Sequence, residues 1–257
     1  MSLTKTVLKF AAPVPRIESF RRYLFVGPHP DDIEIGAGAT IAALKDMGKE
    51  ISFVICTDGR YGLDYVPEGT TPQDLIEIRK QEAIASAAVL GVCDVTFLGF
   101  SDGGFYDREE LVKALSKVIG EKKPEIIIAP DPSVTSECHV DHLNAGTAAR
   151  QLAFLAPFVE IMKQYGADPA PVNAIAYYMT AKPNRFVRTG PYLVQQSKAI
   201  FGCHKSQFPE GCGDISSISL YLKLRAYDFG IRSFKGKAEG FRVLGRTHMH
   251  CLPEAGN

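Results

Sequence analysis

Two short stretches concentrate side chains able to do acid–base and metal chemistry. Pro28-His29-Pro30-Asp31-Asp32 lies near the start of the chain and His139-Val140-Asp141-His142 near its middle. Together they offer three imidazoles and three carboxylates. That is enough for one Zn²⁺ with three protein ligands and an open position, with a carboxylate left over as general base and an imidazole as acid.

The local chemistry of each stretch is readable. Each of the two prolines fixes its own φ and biases the residue before it to an extended shape, so His29 sits on a stiff loop. Consecutive side chains of an extended loop point in different directions. One of Asp31 and Asp32 can therefore bind a cation while the other stays free as a base, and spacing alone does not say which. Residues 33–41 read as a helix start, whose backbone N–H groups favour anions. His139 and His142 share a face if they lie on a helical turn. Asp141 between them is placed to hold an imidazole through its ring N–H. The bland readings are a helix N-cap for the Asp pair and a satisfied surface or core role for each histidine. Two such motifs, each following a strand, favour a site.

The elements that must position these residues follow from hydrophobic patterning. Apolar runs at 22–27 and 125–130 suit buried parallel strands and lead into the two stretches. Further strands are predicted at 51–57, 94–99 and 173–180, with helices at 36–48, 73–90, 108–121, 142–164 and about 191–204. In the third helix Leu111, Ala114, Leu115 and Val118 recur at helical spacing, and Gly48 and Gly91 suit helix ends. The alternation specifies an α/β, Rossmann-like fold: a mostly parallel, doubly wound sheet with helices on both faces and right-handed crossovers. Ligands of such sheets bind outside the carboxyl ends of the strands, where both stretches fall. One domain is expected over 1–257, with 1–20 as an N-terminal extension and about 186–257 as a less regular part completing the site. Beyond residue 180 the pattern is broken by Pro183, Pro191, Pro209 and Gly211-Cys212-Gly213. His248 and His250 alternate around Met249 and are expected on a surface strand.

Composition bounds the function. The chain has 257 residues, 46% hydrophobic and 23% charged, with a formal net charge of zero. No basic excess points to nucleic acid, and no polybasic patch to a membrane surface. No apolar stretch approaches the roughly 18–20 residues of a membrane span. Lys5 and Lys9 interrupt the N-terminal apolar patch, and Pro13 and Pro15 follow it, which makes a poor signal peptide. Cys56, Cys93, Cys138, Cys203, Cys212 and Cys251 form no Cys-x-x-Cys pair. The pattern suits a reducing compartment, and the expected location is the cytoplasm.

At these residues the chain resembles a known family, the LmbE/PIG-L zinc-dependent N-acetylglucosamine deacetylases. The signatures are the Pro-His-Pro-Asp-Asp stretch after the first strand and the later His-x-Asp-His stretch. Further matches are Thr57-Asp58-Gly59, Arg79-x-x-Glu82-Ala83 with Leu90-Gly91, a loop holding Asp102, His204 with Lys205-Ser206-Gln207, and Glu239-Gly240-Phe241-Arg242. The likeness spans most of 20–245. It departs at Ile33-Glu34, where many members have Glu directly after the Asp pair, but no ligand position moves. Ala129-Pro130-Asp131-Pro132, Glu137-x-His139 and Lys182-Pro183-Asn184 look nearest to the diacetylchitobiose deacetylase branch.

The resemblance implies one Zn²⁺ per chain, or another divalent transition metal, held by His29, Asp32 and His142. It implies Asp31 as general base. His139, held by Asp141, would stabilise the oxyanion or deliver a proton, and Arg79, Asp102 and His204 would bind substrate. The implied reaction removes the N-acetyl group from an N-acetylglucosamine-containing saccharide or glycoside and releases acetate. The implied partners are a small soluble N-acetylated sugar and other copies of the chain, as a trimer or hexamer, with no nucleic acid and no membrane. The Gly- and Pro-rich connection 59–74 is long for a compact domain. It leaves the second strand beside the first motif, so Tyr61 and Tyr65 are candidates to stack on a sugar ring, with a plain surface loop as the alternative. Two other readings compete. A metal-dependent phosphoesterase usually needs two metals, and a non-catalytic sugar-binding module has no use for Asp31.

Overall fold

The computed structural model describes residues 7, 8, 10–250 and 252, so Lys5, Lys9 and Cys251 lie outside it. Strands β1 (Arg22–Gly27), β2 (Glu50–Thr57), β3 (Asp94–Phe100), β4 (Ile126–Pro130) and β5 (Ala174–Tyr178) alternate with helices α1 (Asp32–Asp46), α2 (Pro72–Val89), α3 (Arg108–Lys122), α4 (Val140–Leu155) and α5 (Val159–Gln164). Then come β6 (Arg185–Arg188), α6 (Leu193–Cys203), α7 (Gly213–Ser233) and β7 (Ala238–Gly245). The strands form one sheet in the order β3-β2-β1-β4-β5-β7-β6. Strands β1 to β5 pair in parallel, and β7 pairs antiparallel with both β5 and β6.

Alternation along each strand splits the core in two. Tyr23, Phe25, Phe53, Ile128 and Tyr178 are buried on the face covered by α1, α2 and α6. Their chain neighbours Leu24, Val26, Val54, Ile127 and Tyr177 are buried on the face covered by α3, α4 and α5. Both faces are dry, which is why β1 and β4 read as continuous apolar runs. The order of the sheet reverses between β1 and β4, because β2 and β3 lie to one side and β5 to the other. A crevice outside the carboxyl ends of the strands opens at such a switch, and the chain leaving β1 and β4 there carries both motifs.

Five expected strands and the alternating helices are present, and four features differ. Helix α1 starts at Asp32, with Asp31 as its N-cap, so the Asp pair opens the helix instead of preceding it. The single helix expected over 142–164 is two, because Pro157 cannot donate a backbone hydrogen bond and ends α4. Strands β6 and β7 and the 21-residue α7 follow residue 180, where the pattern weakens and only the helix at about 191–204 is expected. His248 lies on a short 3₁₀ turn, Arg246–Met249, not on a strand; its ring nitrogens face Gly245 N at 3.2 Å and Ala12 O at 2.8 Å. No helix among the described residues is long and apolar enough to cross a membrane.

Helix α4 is pressed hard against the end of β4. A Cβ on Gly146 would lie 2.5 Å from the carbonyl oxygen of Pro130, a backbone atom that cannot swing aside. An alanine there gains helix propensity of about 1 kcal/mol, but overpacking costs about 1–3 kcal/mol and forces the helix off the sheet. Gly146→Ala is therefore expected to lower stability in chemical denaturation; a stabilised variant would show that the close approach is not required.

Candidate metal centre and active site

His29 leaves β1 on a loop pinned from two sides. The backbone N–H and the hydroxyl of Thr57 both donate to Pro28 O at 2.8 Å, and Arg79 Nη2 donates to Pro30 O at 2.7 Å. The chain then turns sharply into α1. Asp31 has φ 124° and ψ −28°, a region costly for a residue with a Cβ and found mostly where function holds it. The turn brings Asp32 back under His29: Asp32 Oδ2 accepts from His29 N at 2.9 Å and lies 3.0 Å from His29 Nδ1. From the other motif, His142 Nε2 lies 3.3 Å from Asp32 Oδ1. One carboxylate thus bridges imidazoles from the ends of β1 and β4.

His29, Asp32 and His142 offer ligand atoms all within 4.8 Å of one another. Four-coordinate zinc with bonds of 2.0–2.1 Å holds its ligand atoms about 3.3 Å apart, so the separations of 3.0 and 3.3 Å fit. A second cluster, His29, His139 and Asp141, is equally compact, but its carboxylate is already engaged. Asp141 is fully buried and accepts from Gly103 N at 2.7 Å, Gly104 N at 2.9 Å and His29 Nε2 at 3.1 Å. Gly103 and Gly104 both take positive φ to aim these N–H groups. With its Nε2–H donated to Asp141, His29 keeps Nδ1 for a cation. This is the carboxylate–imidazole support usual around metal ligands.

Electrostatics agree. Burial alone would pull the His29 imidazole down, but its hydrogen bonds to Asp141 and Asp32 hold it up at about 10. His142 is likewise raised against burial by Asp32. Asp32 is pushed up by burial, yet His142 and His29 hold it well below the usual carboxylate range. A site with such affinity for positive charge suits a cation. Asp31 behaves differently. Burial dominates and raises it to about 6, with Arg79 opposing.

The remaining expected site residues divide. A cavity of about 360 Å³ beside the cluster is lined by Asp31, Arg79, Asp102 and His139 among others. Asp102 Oδ2 accepts from Tyr61 N at 3.3 Å, while its buried Oδ1 has no protein partner. Arg79, expected to bind substrate, is on that wall: Nη2 reaches Asp31 Oδ2 at 3.1 Å and Nη1 donates to Gly59 O at 3.2 Å, while its buried Nε has no protein partner. His204 is not among the residues that line the cavity. It is fully buried at the C-cap of α6, with Nε2 3.6 Å from Glu34 Oε1. Tyr61 is on the wall, whereas Tyr65 turns away to donate to Asp214 at 2.8 Å.

Asp141 also differs from expectation. Its Oδ2 lies 3.7 Å from His139 Nδ1, too far to hold that ring, because His29 and the two glycines claim the carboxylate. His139 caps α4 instead, its Nδ1 accepting from Asp141 N at 3.3 Å. Burial and the neighbouring His29 and His142 lower its pKa. With Nδ1 accepting that bond, Nε2 carries the ring proton.

Two residues that the sequence reading named only as family matches, without a role, stand at the site. Glu137 Oε2 stands 3.2 Å from His142 Nδ1, and its Oε1 accepts from His139 N at 2.8 Å; the signal was a Glu two residues before His139. Gln207, in the stretch after His204, lines the cavity and donates to Gly62 O at 3.0 Å. A separate cavity of about 370 Å³ lies between α7 and the sheet. Its half-buried Glu239 accepts from Thr40 N at 2.7 Å and Gln196 Nε2 at 2.9 Å, so both carboxylate oxygens are engaged.

Comparison with known proteins places this arrangement in context. Residues 24–153 match the PIG-L family, described as GlcNAc-PI de-N-acetylase. The chain is 33% identical over 239 residues to diacetylchitobiose deacetylase of Thermococcus kodakarensis, covering 91% of this chain and 87% of that one. It is 30% identical to the 1D-myo-inositol 2-acetamido-2-deoxy-alpha-D-glucopyranoside deacetylase of Thermobispora bispora, over 80% of this chain and 74% of that one. The solved N,N'-diacetylchitobiose deacetylase of Pyrococcus horikoshii, in complex with its inhibitor MPG, superposes with a TM-score of 0.86 at 30% identity, covering 98% and 97% of the two chains. With both motifs inside the matched segment and converging on one cluster, the chain belongs to the PIG-L family.

Proposed function

We propose that this chain hydrolyses the N-acetyl group of an N-acetylglucosamine-containing saccharide or glycoside and releases acetate, with Zn²⁺ as cofactor. The observation that carries the reading is an unligated, buried carboxylate, Asp31, held beside a three-donor cation cluster on the wall of a cavity. The similarity to diacetylchitobiose deacetylases favours N-acetylglucosamine or diacetylchitobiose as the sugar. The five described cysteines are free, which supports a reducing, cytoplasmic setting.

Zinc held by His29, Asp32 and His142 would supply Lewis acidity, polarising the amide carbonyl and lowering the pKa of water. Asp31 takes the proton of the attacking water; its Oδ2 is fixed by Arg79 and its other oxygen is free to act. His139 presents Nε2–H to the oxyanion that forms on the acetyl carbonyl. Asp31, now protonated, returns the proton to the leaving amine. Asp102 offers its unpartnered Oδ1 to a sugar hydroxyl, and Tyr61 offers its ring. A phosphoesterase with two metals is disfavoured, because the second cluster shares His29 and its Asp141 is saturated. Acetate and free-amine release from N-acetylglucosamine and diacetylchitobiose, with a phosphate monoester as control, tests the reading. Phosphate release without acetate would overturn it.

Six variants probe the roles. His29→Ala, Asp32→Ala and His142→Ala are each expected to lose the roughly one zinc per chain measured in the wild type, since three ligands leave no redundancy; full metal content in all three would refute the ligand set. Asp31→Asn should keep zinc and lose roughly 10² or more in turnover. The base works only when ionised, so kcat/KM should fall as pH drops through Asp31's pKa, at or below about 6, because a neighbouring cation lowers it further. Arg79→Gln removes the charge that favours ionised Asp31, so that acid limb should move to higher pH; a raised KM with an unmoved limb would make Arg79 a substrate contact instead. Asp141→Asn should weaken zinc affinity by about 10–100-fold, read by chelator competition. Unchanged affinity would return Asp141 to a purely structural role.

A further inference from the structure

The loop between β4 and α4 carries Glu137 and His139 and has no regular structure of its own. Most of it is exposed, but its first residue, Asp131, is buried. Donors surround the Asp131 carboxylate. Arg242 grips it with a fork, Nε on Oδ2 at 2.8 Å and Nη2 on Oδ1. Thr180 Oγ1 donates to Oδ2 at 2.6 Å, and Ser133 N to Oδ1 at 3.0 Å. Burial pushes the carboxyl up, while Arg242 and Thr180 hold it below its usual range, so it is ionised. Arg242 stands on β7, opposite Tyr177 of β5. Its guanidinium lies over the Tyr177 ring, 4.3 Å from the centroid, and so crosses one strand to reach the end of β4.

A buried ion pair adds little stability, because desolvation offsets most of its attraction. What a forked pair does supply is a fixed direction, and here that direction is passed along the loop. Arg242 Nη2 also reaches Ser133 Oγ at 3.3 Å. Glu137 N donates to Val134 O at 3.1 Å. Glu137 then sets one oxygen 3.2 Å from His142 Nδ1 and accepts from His139 N with the other at 2.8 Å. We propose that Arg242 is a positioning residue of the metal centre: through Asp131 it sets the 131–139 loop, so that Glu137 holds the ring of His142 and His139 faces the cavity. The inference rests on the proposed function for what the loop serves, whereas the coupling of Arg242 to the loop stands on the contacts alone. It gives β7, none of whose residues lines the cavity beside the cluster, a part in the chemistry.

Amide hydrogen exchange on the intact, metal-free chain reads the coupling. Arg242→Gln should speed exchange at Ser133, Glu137 and His139 by about tenfold or more, with the amides of β1 and β2 unchanged. A purely structural ion pair predicts faster exchange in strands and loop alike, or in neither, and either result overturns the proposal. Chelator competition reads the consequence at the site. Arg242→Gln should weaken zinc affinity by about 10–100-fold, and should weaken it no further when Glu137→Gln is already present, since both act through one contact. Fully additive losses, or no loss in Arg242→Gln alone, overturn it. Should Arg242→Gln fail to fold, Arg242→Lys decides: it keeps the charge that Asp131 needs but not the fork, and the same exchange pattern is expected. Failure of the proposed function shows separately, as a wild type that binds no zinc, and the exchange measurement still decides the coupling.

Discussion

A buried carboxylate must meet positive charge or hydrogen-bond donors, and Asp32 meets them from two directions at once. Its Oδ2 takes the backbone and ring of His29, and its Oδ1 faces His142. His29 hangs from the end of β1 and His142 stands on the first turn of α4, after β4. The bridge therefore ties the two strands that flank the reversal in sheet order. Everything else at the site either sets the angle of this bridge or works beside it.

The support is layered. Asp141 and Glu137 stand behind the two imidazoles, and Gly103 and Gly104 hold Asp141 in turn. Such layering fixes which ring nitrogen is left for a cation, a choice that a solvent-exposed histidine would leave to chance. Asp31 is kept out of the cluster by its strained φ, which turns its side chain toward Arg79 while Asp32 turns toward the imidazoles. The two neighbouring carboxylates thereby acquire opposite properties. Asp32 is surrounded by imidazoles and stays ionised, while Asp31, buried and opposed by a single guanidinium, sits near the range where a base is useful.

The late part of the chain closes this centre. Strand β7 returns antiparallel beside β5, Gln207 reaches the cavity wall, and α7 lies across the sheet with a second apolar face turned outward. A helix that is apolar on its exposed side as well as on its core side has no single polar face, so its periodicity does not stand out.

The sequence by itself determined the parallel half of the sheet, because β1, β4 and β5 and most of β2 are buried on both faces and their apolar runs are nearly continuous, while the half-buried edge strand β3 still carries Val95, Phe97 and Leu98. It also determined that the chemistry lies after β1 and β4, because His and Asp are concentrated there. It did not show β6, β7 or α7, where proline, glycine and a two-sided apolar pattern hide the period. Only the tertiary structure decided partners. Asp141 belongs to His29 and not to the adjacent His139, Arg79 belongs to Asp31 and not to open solvent, and His204 is buried beside Glu34. Sequence neighbours on a helix or tight turn point apart, and residues far away along the chain fill the space in front of each side chain. Which carboxylate meets which imidazole is therefore a property of how the strands and helices pack.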